Sequence, residues 1–169
     1  TEPASEKKNS FEFGIYGGVP LGVAKIGKTL FRADPGIGFR VAYDRTLHKW
    51  LSLDAGLAYI QYELSNNIPG RDWTSFVNTK EIELSLEALF HPTPGHRIDW
   101  YLGPGVVFVN YPAIESGGQS FPVDEDFTFV AEAGIDFPLK GDWALKCNVR
   151  WVESEIRIQS EDLELEVNA

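Results

Sequence analysis

The 169-residue chain contains one cysteine, no methionine and only three histidines. A single thiol, Cys147, excludes an internal disulfide. Basic residues are scarce beside acidic ones, with 15 Lys and Arg against 25 Asp and Glu and a net charge of −10. Phosphate binding needs a basic surface, so this balance argues against nucleic acid as a partner. A membrane stays open, because a spanning protein buries its apolar face in lipid whatever its total charge. No run approaches the ~18 consecutive apolar residues that a transmembrane helix needs.

Apolar residues make up 43% of the chain and aromatics 13%, and their arrangement is more informative than their number. The length suits one domain. Residues 1–10, "TEPASEKKNS", read as a flexible polar tail, and 11–169 as a single domain. Seven runs follow, at 11–19, 36–44, 51–64, 79–90, 98–111, 127–137 and 143–158. Six alternate cleanly with period 2, the strand period. In "EIELSLEALF" (81–90), Ile82, Leu84, Leu86, Ala88 and Phe90 oppose Glu81, Glu83, Ser85 and Glu87. In the fifth run Trp100, Leu102, Val106 and Phe108 form the apolar side opposite Asp99, and Pro104 predicts a bulge. These runs predict an all-β antiparallel meander without helices.

The links alternate in length. "RTLHKW" (45–50), "HPTPGHR" (91–97) and "PLKGD" (138–142) are short. The links at 20–34, 65–78 and 112–126 are each about twice as long. In an up-and-down barrel this gathers the short turns at one end and the long loops at the other, the layout of outer-membrane barrels. Period 2 alone leaves two barrels open. A soluble calycin-like ligand carrier turns its apolar face inward, and a membrane barrel turns it to lipid.

Two further patterns favour the membrane barrel. Aromatics gather at two heights of the apolar face. Phe11, Tyr43, Trp50, Phe90, Trp100, Phe137 and Trp143 fall near the short-turn rim, and Tyr59, Phe108, Phe127 and Trp151 near the other. Such girdles suit the two membrane–water interfaces. The polar face carries Glu12, Asp44, Asp54, Glu81, Glu83, Glu87, Asp99, Glu132 and Asp136 against Arg40, Lys146 and Arg150, with glycines between them. That mixture predicts a lumen closed by an ion-pair network. Glu83 and Glu87 stand ~13 Å apart along a strand, too far to act as a paired-carboxylate catalyst. His48, His91 and His96 fall in the short links, so no histidine assists a nucleophile at the long-loop end. His91 and His96 read as a polar turn rather than a metal site. Cys147 falls on the apolar face.

The phrases "PGIGFRVAYDRTLHKWLSLDAGLAYI" (35–60), "RIDWYLGPGVVFVNY" (97–111) and "AEAGIDFPLKGDWALKCNVRWVESEI" (131–156) resemble the strand–turn–strand units of small bacterial outer-membrane β-barrels of the OmpW and OmpX type. The resemblance spans roughly 11–168. It implies an eight-stranded antiparallel up-and-down transmembrane barrel, residence in the lipid bilayer of the outer membrane with the 1–10 tail in the periplasm, and no enzymatic activity or cofactor. It further implies a narrow conduit for small, mostly hydrophobic molecules. A non-catalytic structural barrel, assembling with a protein partner or as a homo-oligomer, is the alternative. The apolar link at 20–34 is compatible with a greasy entrance. Seven strands are clear in the chain. The stretch 155–167 reads as a hairpin with its turn near Ser160–Asp162, which leads to the expectation that the eighth strand is truncated here or supplied by a partner.

Overall fold

The computed structural model describes residues 9–20, 24–26, 28–94, 98–112, 114–116, 119–121, 125–139, 144–153, 155–160 and 163–168. Seven strands form one antiparallel path, in the order β1 (Asn9–Gly18), β4 (Gly36–His48), β5 (Leu51–Asn67), β6 (Thr74–Phe90), β7 (Asp99–Asn110), β10 (Asp126–Pro138) and β11 (Ala144–Val152). They correspond to the seven runs of the sequence. Asn9 and Ser10, at the end of the polar tail, already belong to β1. No described residue is helical.

The remaining strands lie in the long links. β2 (Ala24–Ile26) and β3 (Thr29–Ala33) form a hairpin, and β3 pairs with the far end of β5 from Leu30↔Asn67 to Ala33↔Leu64. The apolar link thus raises the sheet at its long-loop end. β8 (Ile114–Ser116) and β9 (Gln119–Phe121) form a second hairpin, and β12 (Glu155–Ser160) and β13 (Leu163–Asn168) a third. β12 and β13 form a sheet of their own, with β13 beside β2. The link at 65–78 is mostly strand, and its turn closes with Arg71 N–H donating to the Ile68 carbonyl at 2.9 Å. Gly70 supplies the positive φ of 83° there, which a side chain would resist.

The bulge predicted at Pro104 is absent. β7 pairs β10 in one unbroken register through Ala131↔Pro104, and its pairing with β6 keeps one register from Ile82↔Asn110 to Phe90↔Leu102. Proline lacks an N–H, yet skipping a ladder bond does not require an inserted residue. The register shifts occur instead between Thr46 and His48 and between Leu64 and Ser65, near strand ends.

The sheet curls until its ends approach. Among the described residues β1 and β11 share no backbone ladder, but Lys146 on β11 reaches Glu12 on β1 at 2.5 Å, and Arg150 reaches the Tyr16 hydroxyl at 3.4 Å. The curl places the polar residues inside. Ile15 is 88% exposed on the outer face, and Glu87 is fully buried on the inner one. This polarity is the reverse of a soluble ligand-carrying barrel.

Candidate functional site

The inner face has three zones along the strand direction. The middle zone is an ion-pair cluster, whose geometry follows from strand register. Asp44, Asp54 and Glu87 stand directly opposite one another across β4, β5 and β6. Like charges in that position repel. Two guanidinium groups offset the repulsion. Arg40 on β4 pairs closely with Asp54 and lies 3.3 Å from Glu87, 3.8 Å from Glu12 and 4.0 Å from Glu132. Arg150 on β11 gives Nη1 to Glu83 at 2.6 Å and Nη2 to Glu87 at 2.8 Å, while Nε lies 3.2 Å from Glu132. Glu83 and Glu87, distant along β6, thus meet through one guanidinium fork. Asn148 donates to Glu132 at 3.0 Å.

Glycine creates the room. A Cβ on Gly56 would stand 2.6 Å from Arg40 Nη2, in space the guanidinium now fills. Of the twelve charged residues expected in the lumen, Glu12, Arg40, Asp54, Glu83, Glu87, Glu132, Lys146 and Arg150 converge in this cluster. Asp44 and Asp136 lie nearer the short-turn end. Asp136 stands opposite both Lys146 and Asp99.

The short-turn zone contains a hydrogen-bond chain that sequence reading missed. His91 Nδ1 lies 3.0 Å from Asp99, His91 Nε2 lies 3.1 Å from Ser52 Oγ, and Ser52 donates to Asp44 at 2.7 Å. The sequence carried a usable signal: Ser52 and Asp99 occupy inward positions beside the turn that holds His91. The order Asp–His–Ser matches a hydrolase triad, but the surroundings do not. Ser52 is 2% exposed and its hydroxyl proton points to Asp44, so the oxygen is neither reachable nor poised for transfer to His91. His96 lies outside the described residues.

Carboxylate oxygens of Glu12, Asp44 and Asp54 come within 4.8 Å of one another, a spacing that suits a metal ion. Lys146 on Glu12 and Arg40 on Asp54 already supply positive charge to that group.

The long-loop zone is apolar. Ala33, Ile60, Tyr62, Leu64 and Val77 form a buried cluster with Tyr16 against it. Below it is a cavity of about 110 Å³, bordered by Tyr16 and Gly18 of β1, Tyr62 of β5, Glu81 and Glu83 of β6, and Arg150 and Val152 of β11.

On the outer face, the aromatics expected at the short-turn rim form contacts with one another. Phe11 and Tyr43 rings lie 5.1 Å apart, and Trp50 meets Phe90 edge-on at 6.4 Å. Phe11, Trp50, Phe90 and Trp100 are exposed, and Tyr43 and Phe137 are half-buried. At the other rim Phe108, Phe127 and Trp151 are exposed, and half-buried Tyr59 stacks on Phe39 at 5.5 Å. Trp143 lies outside the described residues. Cys147 is exposed on the outer face.

An all-β antiparallel sheet curled with charge inside and apolar residues outside defines the class of small membrane barrels. Among solved structures the chain is similar to the outer membrane protein OprG from Pseudomonas aeruginosa, with a TM-score of 0.77, over 94% of this chain and 86% of that one. Sequence identity is 14%, so the likeness is one of fold. No family model matches the chain. No curated protein matches it either.

Proposed function

We propose that this chain is a bacterial outer-membrane β-barrel and acts as a narrow conduit for small, mostly hydrophobic molecules. The observation that carries this reading is the division of the inner face, where a buried apolar cluster at the long-loop end and a cavity of mixed lining beneath it stand above a packed ionic middle. An apolar solute partitions into the first zone by the hydrophobic effect. The outward apolar residues, Ile15, Leu84 and Phe129 among them, match a lipid surround, and the aromatic rims match its two interfaces. The likeness to an outer membrane protein supports the same location.

The packed middle also favours a second reading, a non-catalytic structural barrel that works with a protein partner or another copy. Arg40 and Arg150 fill the interior, and an interior of small-barrel width is largely occupied by its own side chains. Proteoliposomes separate the two. The conduit reading expects flux of small apolar solutes and little ionic conductance. Absence of both in a folded, membrane-inserted protein leaves the structural reading. A stable monomer in detergent-free water would sink both.

A further inference from the structure

We infer that the cavity at the long-loop end binds a small organic cation, an alkylammonium group on an apolar body, with Glu81 as its counter-ion. The inference deepens the conduit reading and rests on the same cavity.

The first observation is a buried carboxyl group with no basic partner among the described residues. Glu81 borders the cavity, is 2% exposed, and its Oε2 has no hydrogen-bond partner. Tyr62 and Glu83 hydrogen-bond to the carboxyl group and leave that second oxygen free. The inner-face cations are engaged elsewhere: Arg150 with Glu83, Glu87 and Glu132, Arg40 with Asp54 and Glu87, and Lys146 with Glu12. Among the described residues no basic side chain pairs with Glu81. A buried carboxylate without a basic partner is costly, and one oxygen of Glu81 is unsatisfied, so an added cation would stabilise its ionised form.

The second observation is the wall. Tyr16 and Tyr62 border the cavity, and the face of an aromatic ring attracts an ammonium ion; Arg150 already lies 5.7 Å from the Tyr16 ring centroid, so Tyr62 is the ring assigned to the added cation. Gly18 lets Tyr62 stand close to β1, since a Cβ there would overlap the Tyr62 hydroxyl. Val19 and Val152, also on the cavity border, offer an apolar surface for the rest of the molecule. A divalent metal fits this site poorly, because calcium requires six to eight oxygen ligands and magnesium near-octahedral coordination. A volume of about 110 Å³ suits a compact head group.

The test compares choline with 3,3-dimethylbutan-1-ol, a neutral molecule of the same shape, by calorimetry on the full chain folded in non-ionic detergent. Choline is expected to bind at least ~10-fold more tightly, from charge pairing and cation–π attraction. Glu81→Gln should bring choline down to the level of the alcohol, and Glu63→Gln, at an exposed position, should leave it unchanged. Equal binding of the two molecules by the wild-type protein overturns the inference, as does absence of both, which means that Glu81 holds only a proton. Unchanged choline binding by a folded Glu81→Gln protein overturns it as well. If that variant does not fold, the wild-type pair decides alone. Selective choline binding without flux in proteoliposomes supports the site and sinks the conduit.

Discussion

Glu83 and Leu84 are neighbours on β6 and belong to opposite environments. Glu83 is 2% exposed and receives the Arg150 fork, while Leu84 is 60% exposed with only apolar side chains opposite it on the strands beside it, Leu57 and Phe108. In a water-soluble sheet these exposures would be exchanged. The two faces also differ in what stabilises them. The inner face depends on a few specific partners, so its losses are local and large. On the outer-membrane reading the outer face depends on the absence of charge, so its sensitivity is expected to vary with depth in the bilayer.

The largest expected effect breaks the inner face. Arg150→Met removes the group shared by Glu83, Glu87 and Glu132 and leaves buried carboxylates without it. Removing one partner from a buried ion pair costs roughly 3–5 kcal/mol. Equilibrium urea unfolding from lipid vesicles measures it. A loss below ~1 kcal/mol, the range of exposed ion pairs, would mean that water reaches the cluster.

The next effect breaks the outer face. Leu84→Arg should cost ~2–4 kcal/mol if Leu84 meets the bilayer midplane, and Phe11→Arg, near the short-turn rim, only ~0–1 kcal/mol. Glu83→Gln on the opposite face should be milder than Leu84→Arg, about 1 kcal/mol, because the amide oxygen still accepts from Arg150. Equal costs for Leu84→Arg and Phe11→Arg would remove the depth dependence and with it the membrane. Equal costs for Leu84→Arg and Glu83→Gln would remove the distinction between the faces.

The strands and their two faces were legible because period 2 is a local property, and the residues on each side of 81–90 state it directly. Register was less legible. Which carboxylates share Arg150 depends on how β6, β10 and β11 align, and that alignment is set by turns and curl rather than by any one segment. The sequence showed that Arg40, Lys146 and Arg150 face nine acids. It did not show that Arg40 approaches four carboxylates while Glu81 pairs with none of the described bases. Pro104 misled for a related reason: the missing N–H is legible, but whether a neighbour needs it is a property of the partner strand. The hairpins β2–β3 and β8–β9 went unread because three- to five-residue strands are too short to display a period.

The smallest effect separates a structural chain from a catalytic one at the short-turn end. Ser52→Ala removes the bridge between Asp44 and His91, two hydrogen bonds at 2.7 and 3.1 Å. One net hydrogen bond contributes about 0.5–1.5 kcal/mol, and Asp44 and His91 are only partly buried, so water takes over some of the loss. The expected cost is therefore ~1 kcal/mol, and Asp99→Asn should match it, because the two substitutions cut the same chain at different links. The wild-type protein should also fail to react with a fluorophosphonate probe, since the Ser52 oxygen is enclosed and its proton is held by Asp44. Labelling that disappears in Ser52→Ala would make this chain a nucleophile system, and the inner face would then contain chemistry as well as charge balance.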